Sequence, residues 1–465
     1  MVASNVGDMN QTGVRWTSDQ VLALAPDDAS RKAGSRLGTA GPWSDAGCRD
    51  GGVLWGQCKG SGNRPYRTVV DLSGPGAASK CSCPSRKFPC KHAVGLLLLW
   101  AAQDPVVQGG TEPPDWASEW IEDRRERTAK AGEKARDKQS EGGSAPAGTA
   151  DPEAARRRAE RREARITSGA TELEQRLTDL LRGGLAAAER AGYGMWEETA
   201  ARMVDAQAPG LAARVRELGS IPSSGPGWPV RLLEECALLH LLDEAWLGRD
   251  RLPGALATTV RTRVGLPSSP QGPAVRDRWT VLAQYDQADS KVTTRRIWLY
   301  GQGSGRTALV LSFGAAGRAP EASLPVGLSV DAELLPHGGA GQLRATLGEQ
   351  FGAPVPATGP PPGGSITDAV EAHGRALSED PWLESWPVTL TAAIPAPGTG
   401  GWQLTDPEGE SALPVASRAL NRPALWKLAA LSGGTPVTVF GESGHQGFHP
   451  LTAWSPSSPV PVPLT

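Results

Sequence analysis

The stretch KCSCPSRKFPCKH, residues 80–92, restricts this chain more than any other. It gathers Cys81, Cys83, Cys90 and His92 in a 465-residue chain that has only six cysteines and six histidines. The start, MVASNVGDMNQTGVRW, lacks a basic segment followed by an apolar run, so a cytoplasmic setting is expected. Thiols stay reduced there, and clustered cysteines read as metal ligands before disulfides. In an extended strand, residues i and i+2 share a face about 6–7 Å apart, which lets Cys81 and Cys83 converge. Pro89 and Cys90 are expected to open the helix that follows, where the positive helix end favours thiolate. Three sulfurs and one imidazole make a closed tetrahedral site for one structural Zn2+ with no open position for chemistry. Iron–sulfur clusters use other spacings.

The length predicts several domains and an α+β multidomain fold. Residues 1–120 read as the zinc module. Its elements are two short N-terminal helices, a Gly- and Asp-rich loop, a β-hairpin over VLWGQCKGSGNRPYRTVVDL, the cysteine cluster, and the apolar helix AVGLLLLW. Residues 121–166 are charged and small, and read as a linker with frayed helical flanks. Residues 167–265 carry apolar residues at three- and four-residue spacing and predict a helical domain. Residues 266–351 predict an antiparallel β domain or barrel, with Gly301-Gln302-Gly303-Ser304-Gly305 as a turn between two strands. Residues 352–465 read as a C-terminal α+β segment with a Pro-rich tail. Sixteen Trp against five Phe predict that indoles fill much of the core, each buried N–H needing a partner. The longest apolar run, AVGLLLLWAA, is too short to cross a bilayer, which takes about 20 residues.

The words CSCPSRKFPCKHAVGLLL resemble the SWIM zinc finger, in which C-x-C-x(n)-C-x-H follows a hairpin and precedes a helix. RWTSDQVLALAPD, AARMVDAQAPGL and RDRWTVL extend the likeness to a group of multidomain bacterial SWIM proteins. The resemblance implies that Cys81, Cys83, Cys90 and His92 hold zinc, and that the module binds nucleic acid or protein. It also implies a working link to a MoxR-type AAA+ ATPase and a von Willebrand A-domain protein.

The chain carries a formal net charge of −2, so nucleic-acid binding would need a local patch. One exists: Lys59, Arg64, Arg67, Lys80, Arg86, Lys87 and Lys91 surround the cluster, with Asp71 the only acid between Gln57 and His92. Tyr66 and Phe88 lie among them, placed to stack on bases of a single strand. An acidic protein surface is an equally compatible partner. A second basic stretch, Arg156, Arg157, Arg158, Arg161, Arg162 and Arg165, alternates with Glu and reads as a solvated helix face.

Other chemistry-bearing groups read as structural. There is no Walker A sequence. Cys236 and His240 share a helix face in an apolar stretch and are expected in the core. His445 and His449 lie in an expected loop without further ligands. Cys48 and Cys58 flank the hairpin as buried or half-buried thiols. No nucleophile–base set can be assembled. The expectation is therefore a non-catalytic recognition protein; the alternative is an enzyme with its active site in the C-terminal α/β segment.

Overall fold

A computed structural model describes residues 16–22, 24–25, 28–49, 52–60, 64–72, 78–85, 87–124, 126, 152–288, 292–315, 320, 322–341, 343–398, 400–419 and 422–465. Helix α1 (Ser18–Leu22) begins at a reciprocal cap. Thr17 Oγ1 accepts from the Gln20 N–H at 3.2 Å, and Gln20 Oε1 accepts from the Thr17 N–H at 2.8 Å. Then come α2 (Asp28–Leu37), β1 (Trp43–Arg49), β2 (Val53–Cys58), β3 (Tyr66–Asp71), β4 (Ala78–Cys81), α3 (Lys91–Ala101) and β5 (Gln108–Gly109). The strands form one sheet in the order β4-β3-β2-β1-β5.

The expected hairpin is β2–β3, with Leu54 opposite Val70 and Cys58 opposite Tyr66. Its turn residues 61–63 lie outside the described residues. The expected Gly- and Asp-rich loop after α2 is corrected to β1. A register shift between Ser44 and Gly47 breaks the alternation that would mark it as a strand. The all-apolar α3 covers one sheet face, where Leu54, Cys58 and Val70 share a core with Leu96, Leu97 and Leu99. Gly95 lets the end of α2 approach α3 closely, because a Cβ there would lie 2.7 Å from Leu37 Cβ. A further helix, α4 (115–124), covers the opposite face, packing Ala117 and Ile121 on Val53, Trp55 and Val69.

The linker expectation needs correction at its far end. Helix α5 (Pro152–Gly183) runs without a break through position 166. Its first turns are not frayed: Arg157 pairs with Glu153, Arg156 with Glu160 at 2.9 Å, and Glu163 takes Arg261 at 2.7 Å. The Gly/Ala/Pro-rich centre of the stretch falls in 127–151, outside the described residues. After α5 come α6 (Ala186–Asp205), α7 (Pro209–Leu218), α8 (Trp228–Leu247) and α9 (Gly254–Arg263). All five helices contribute to one apolar core.

The next strands are β6 (Val275–Ala288), β7 (Val292–Gly301), β8 (Thr307–Ala315), β9 (Leu328–Pro336), β10 (Arg344–Gln350) and β11 (Val355–Pro356). The order β10-β8-β7-β6-β9-β11, with an added β10–β9 pairing, closes five of them into a small barrel. The expected antiparallel pairing holds except between β8 and β10, which run parallel. The C-terminal segment holds α10 (Ile366–Glu379), β12 (Ser385–Gly398), β13 (Gly401–Thr405), β14 (Ala412–Pro414), α11 (Arg422–Ser432), β15 (Val437–Gly444), β16 (Gly447–Trp454) and β17 (Val462–Pro463). Ser365 and Asp368 cap α10 reciprocally.

These units share cores. Trp382 of the C-terminal segment lies in the helical core, and Leu328 of the barrel lies in the zinc-module core. Tryptophan fills the interior as expected; several of its N–H groups find acceptors, whereas the buried Trp196 Nε1 has none. Trp43 donates to Leu37 O at 2.8 Å, Trp279 to Ala332 O at 3.0 Å and Trp382 to Leu238 O at 2.9 Å. Among the described residues no helix is long and apolar enough to cross a membrane.

Candidate metal centre

Strand β4 ends on Cys81, which pairs with Thr68 of β3 and so shares the sheet face of Tyr66 and Val70, the face under α3. Cys83 lies two residues on, in a bend outside the strand. The same-face strand argument therefore accounts for Cys81 alone; Cys83 is placed by the bend at Ser82-Cys83-Pro84. Cys90 is the N-cap of α3, extended at φ −75° and ψ 165°, and His92 sits in the first turn. Pro89 thus precedes the helix instead of opening it. Cys90 is 5% and His92 3% exposed.

The four ligand atoms, three Sγ and one His92 nitrogen, all lie within 4.8 Å of one another. His92 Nδ1 stands 3.6 Å from Cys81 Sγ and 4.0 Å from Cys90 Sγ. A zinc tetrahedron with Zn–S of about 2.3 Å and Zn–N of about 2.0 Å has edges of roughly 3.5–3.8 Å. The cluster fits zinc binding. Among the described residues no other His/Cys/Asp/Glu group converges in this way.

The electrostatics of the cluster suit a cation. A hydrogen bond from Cys90 holds the Cys81 thiol well below its ordinary range, helped by His92 and Thr68. The same bond, then burial, drives Cys90 far up, and burial raises Cys83. Three thiolates cannot coexist here unless a positive ion neutralises them. Zinc would supply that charge and, with every position filled by protein, would act as a structural tie between β4 and α3. Two supporting groups escape sequence reasoning. Thr68 Oγ1 lies 3.2 Å from Cys81 Sγ, and the Tyr66 ring packs 4.8 Å from the His92 ring. The first follows from the β3–β4 register and the second from the packing of α3 on β3, neither of which spacing alone reveals.

The basic residues do not form one patch. Lys59, Arg64, Lys87 and Lys91 are exposed, and Phe88 is 50% exposed in the ligand-bearing loop. Arg67 and Lys80 point to the α4 face of the sheet, where Arg67 stacks 5.8 Å from the Trp116 ring. Tyr66 is committed to His92. Arg86 lies outside the described residues. Of the second stretch, Arg156, Arg157, Arg158, Arg161 and Arg165 are exposed and Arg162 half-buried, a solvated face of α5.

Cys236 is core, but His240 is not: it points outward and bonds Glu174 Oε2 at 2.7 Å. His449 belongs to β16 instead of a loop, and His445 to the tight turn before it. Cys48 and Cys58 are both buried. The 301–305 turn joins β7 to β8, and Asp277 fills it, accepting from the Gly303 and Ser304 N–H groups at 2.9 and 2.7 Å.

Comparison with known families gives two matches in chain order. A model of the SWIM zinc finger matches residues 66–101, and a model of the SWIM-associated four-helix bundle domain matches residues 161–264. No curated protein and no solved structure matches the chain. The first match spans β3 to α3 with all four ligands; the second begins within α5 and ends beside α9. In these two segments the chain is similar to the SWIM zinc finger and to its associated bundle, and the two follow one another in chain order.

Proposed function

We propose that the protein is a non-catalytic recognition factor that holds one structural Zn2+ and binds single-stranded nucleic acid along the exposed rim of its zinc module. The observation that carries this reading is Phe88, a large aromatic side chain 50% exposed and flanked by exposed Lys87 and Lys91. A stacking platform among cations suits an unpaired strand. Lys59 and Arg64 extend the positive rim. Arg67 and Lys80, on the other sheet face, take no part.

The test is binding of a fluorescent single-stranded oligonucleotide to the full chain across a salt series. Log K should fall with log salt, with a slope reduced by about 0.7 for each phosphate contact removed among Lys59, Arg64, Lys87 and Lys91. Phe88→Ala should weaken binding by about 1–3 kcal/mol. Absent or salt-insensitive binding would remove nucleic acid and leave an acidic protein surface as the partner class. The family likeness adds a MoxR-type AAA+ ATPase and a von Willebrand A-domain protein as candidates for co-purification.

One observation supports the enzyme alternative. A cleft of about 310 Å³ between the helices and the C-terminal segment is lined by Glu217, Glu235, Trp382, Glu384 and His445. Burial, Glu384 and Glu235 raise the Glu217 carboxyl.

A further inference from the structure

The helical core contains a carboxylate that packing does not explain. Asp243 lies on α8 in register with Leu239, Leu242 and Trp246, at a position where an amphipathic helix calls for an apolar side chain. It is 0% exposed, and neither carboxylate oxygen has a hydrogen-bond partner. It sits midway along the seam between α8 and α5. One turn before it, His240 Nδ1 bonds Glu174 Oε2 of α5 at 2.7 Å. One turn after it, Trp246 Nε1 donates to Thr167 Oγ1 of α5 at 3.1 Å. The charges acting on Asp243 are Glu174 across the seam and Glu244 on its own helix, both acidic. Met203 of α6, Leu211 and Val215 of α7, and Val260 of α9 fill the same core, and none of them titrates.

An ionised carboxylate without a partner in a dry core costs several kcal/mol, whereas a neutral acid costs far less. Burial first, then repulsion from Glu174 and Glu244, pushes the Asp243 carboxyl up to about 8 from an ordinary 3.8.

We propose that Asp243 is a proton-dependent latch: α8 seats against α5 with this carboxyl protonated, and the seam loosens as the proton is lost. The sign follows from the raised value. Between the ordinary and the raised values the closed seam holds a proton that the open one does not. The contribution is complete below about 4 and is lost as pH rises through about 8.

Cys236, on α8 and 1% exposed, reports opening. In the full chain, its alkylation rate is measured by peptide mass for wild type and Asp243→Leu from pH 6 to 9. The ratio of the two rates cancels the titration of the thiol itself. It should climb by up to about tenfold per pH unit to pH 8 and then flatten. A ratio independent of pH overturns the proposal. Should Asp243→Leu not fold, the wild type carries a second test: the ¹³Cγ resonance of Asp243 in aspartate-labelled protein. A midpoint near pH 8 supports the latch, and one below pH 5 overturns it.

Discussion

The zinc module and the helical bundle resolve the same difficulty, polar groups in an apolar interior, in opposite ways. The module collects three sulfurs and an imidazole around one point, where a divalent ion can balance them. The bundle leaves a single carboxylate alone in its core, where only a proton can neutralise it. Acid therefore acts on the two regions in opposite directions. Protons compete with metal for the thiolates and weaken the module. The same protons satisfy Asp243 and tighten the bundle. The contrast also separates the roles of packing: α3 is apolar and mostly buried beyond Lys91, yet its first turn is placed by ligands, whereas the bundle is ordered by its apolar core.

Removing zinc should break this comparison most sharply. With 1,10-phenanthroline, or with Cys90→Ser, the module should lose on the order of 10 kcal/mol of apparent stability. Hydrogen exchange should rise in α3 and β4 while the α5 and α8 peptides stay protected; simultaneous loss in both regions would mean that the two are one cooperative unit. Core truncation comes next. Leu97→Ala in the module and Leu211→Ala in the bundle each remove a fully buried side chain and should cost about 2–5 kcal/mol in urea unfolding. The Leu97 cost should persist with zinc bound, because the ion does not fill the cavity.

Smaller effects sharpen the picture of the metal's surroundings. Thr68→Val removes the hydroxyl at Cys81 Sγ and should weaken zinc by about 10–100-fold in competition with a chromogenic chelator. Unchanged affinity would make that contact incidental. Arg67→Ala should cost about 0.5–1 kcal/mol of module stability through its contact with Trp116, and leave zinc affinity and oligonucleotide binding unchanged.

The ligand set was legible because cysteine is scarce here and the spacing is tight. The β2–β3 hairpin and α3 were legible from turn residues and an unbroken apolar run. What escaped depended on register and long-range pairing. Strand β1 hides behind the irregularity at Ser44–Gly47. Tyr66 reads in sequence as free to stack, whereas β3 lays it beside His92. The start of α5 resembled a charged linker, because its composition does not show that Glu163 reaches Arg249 and Arg261, far along the chain. Asp243 stood in plain view within LLHLLDEAW, but burial without a partner is a property of the assembled bundle alone.

The account rests on four side chains sharing one cation, and zinc-edge X-ray absorption of the full chain reads that sharing directly. Three sulfur scatterers at about 2.3 Å and one imidazole nitrogen at about 2.0 Å are predicted, with the sulfur count reduced in Cys83→Ser. A shell rich in oxygen and nitrogen, or one unchanged by Cys83→Ser, would contradict it.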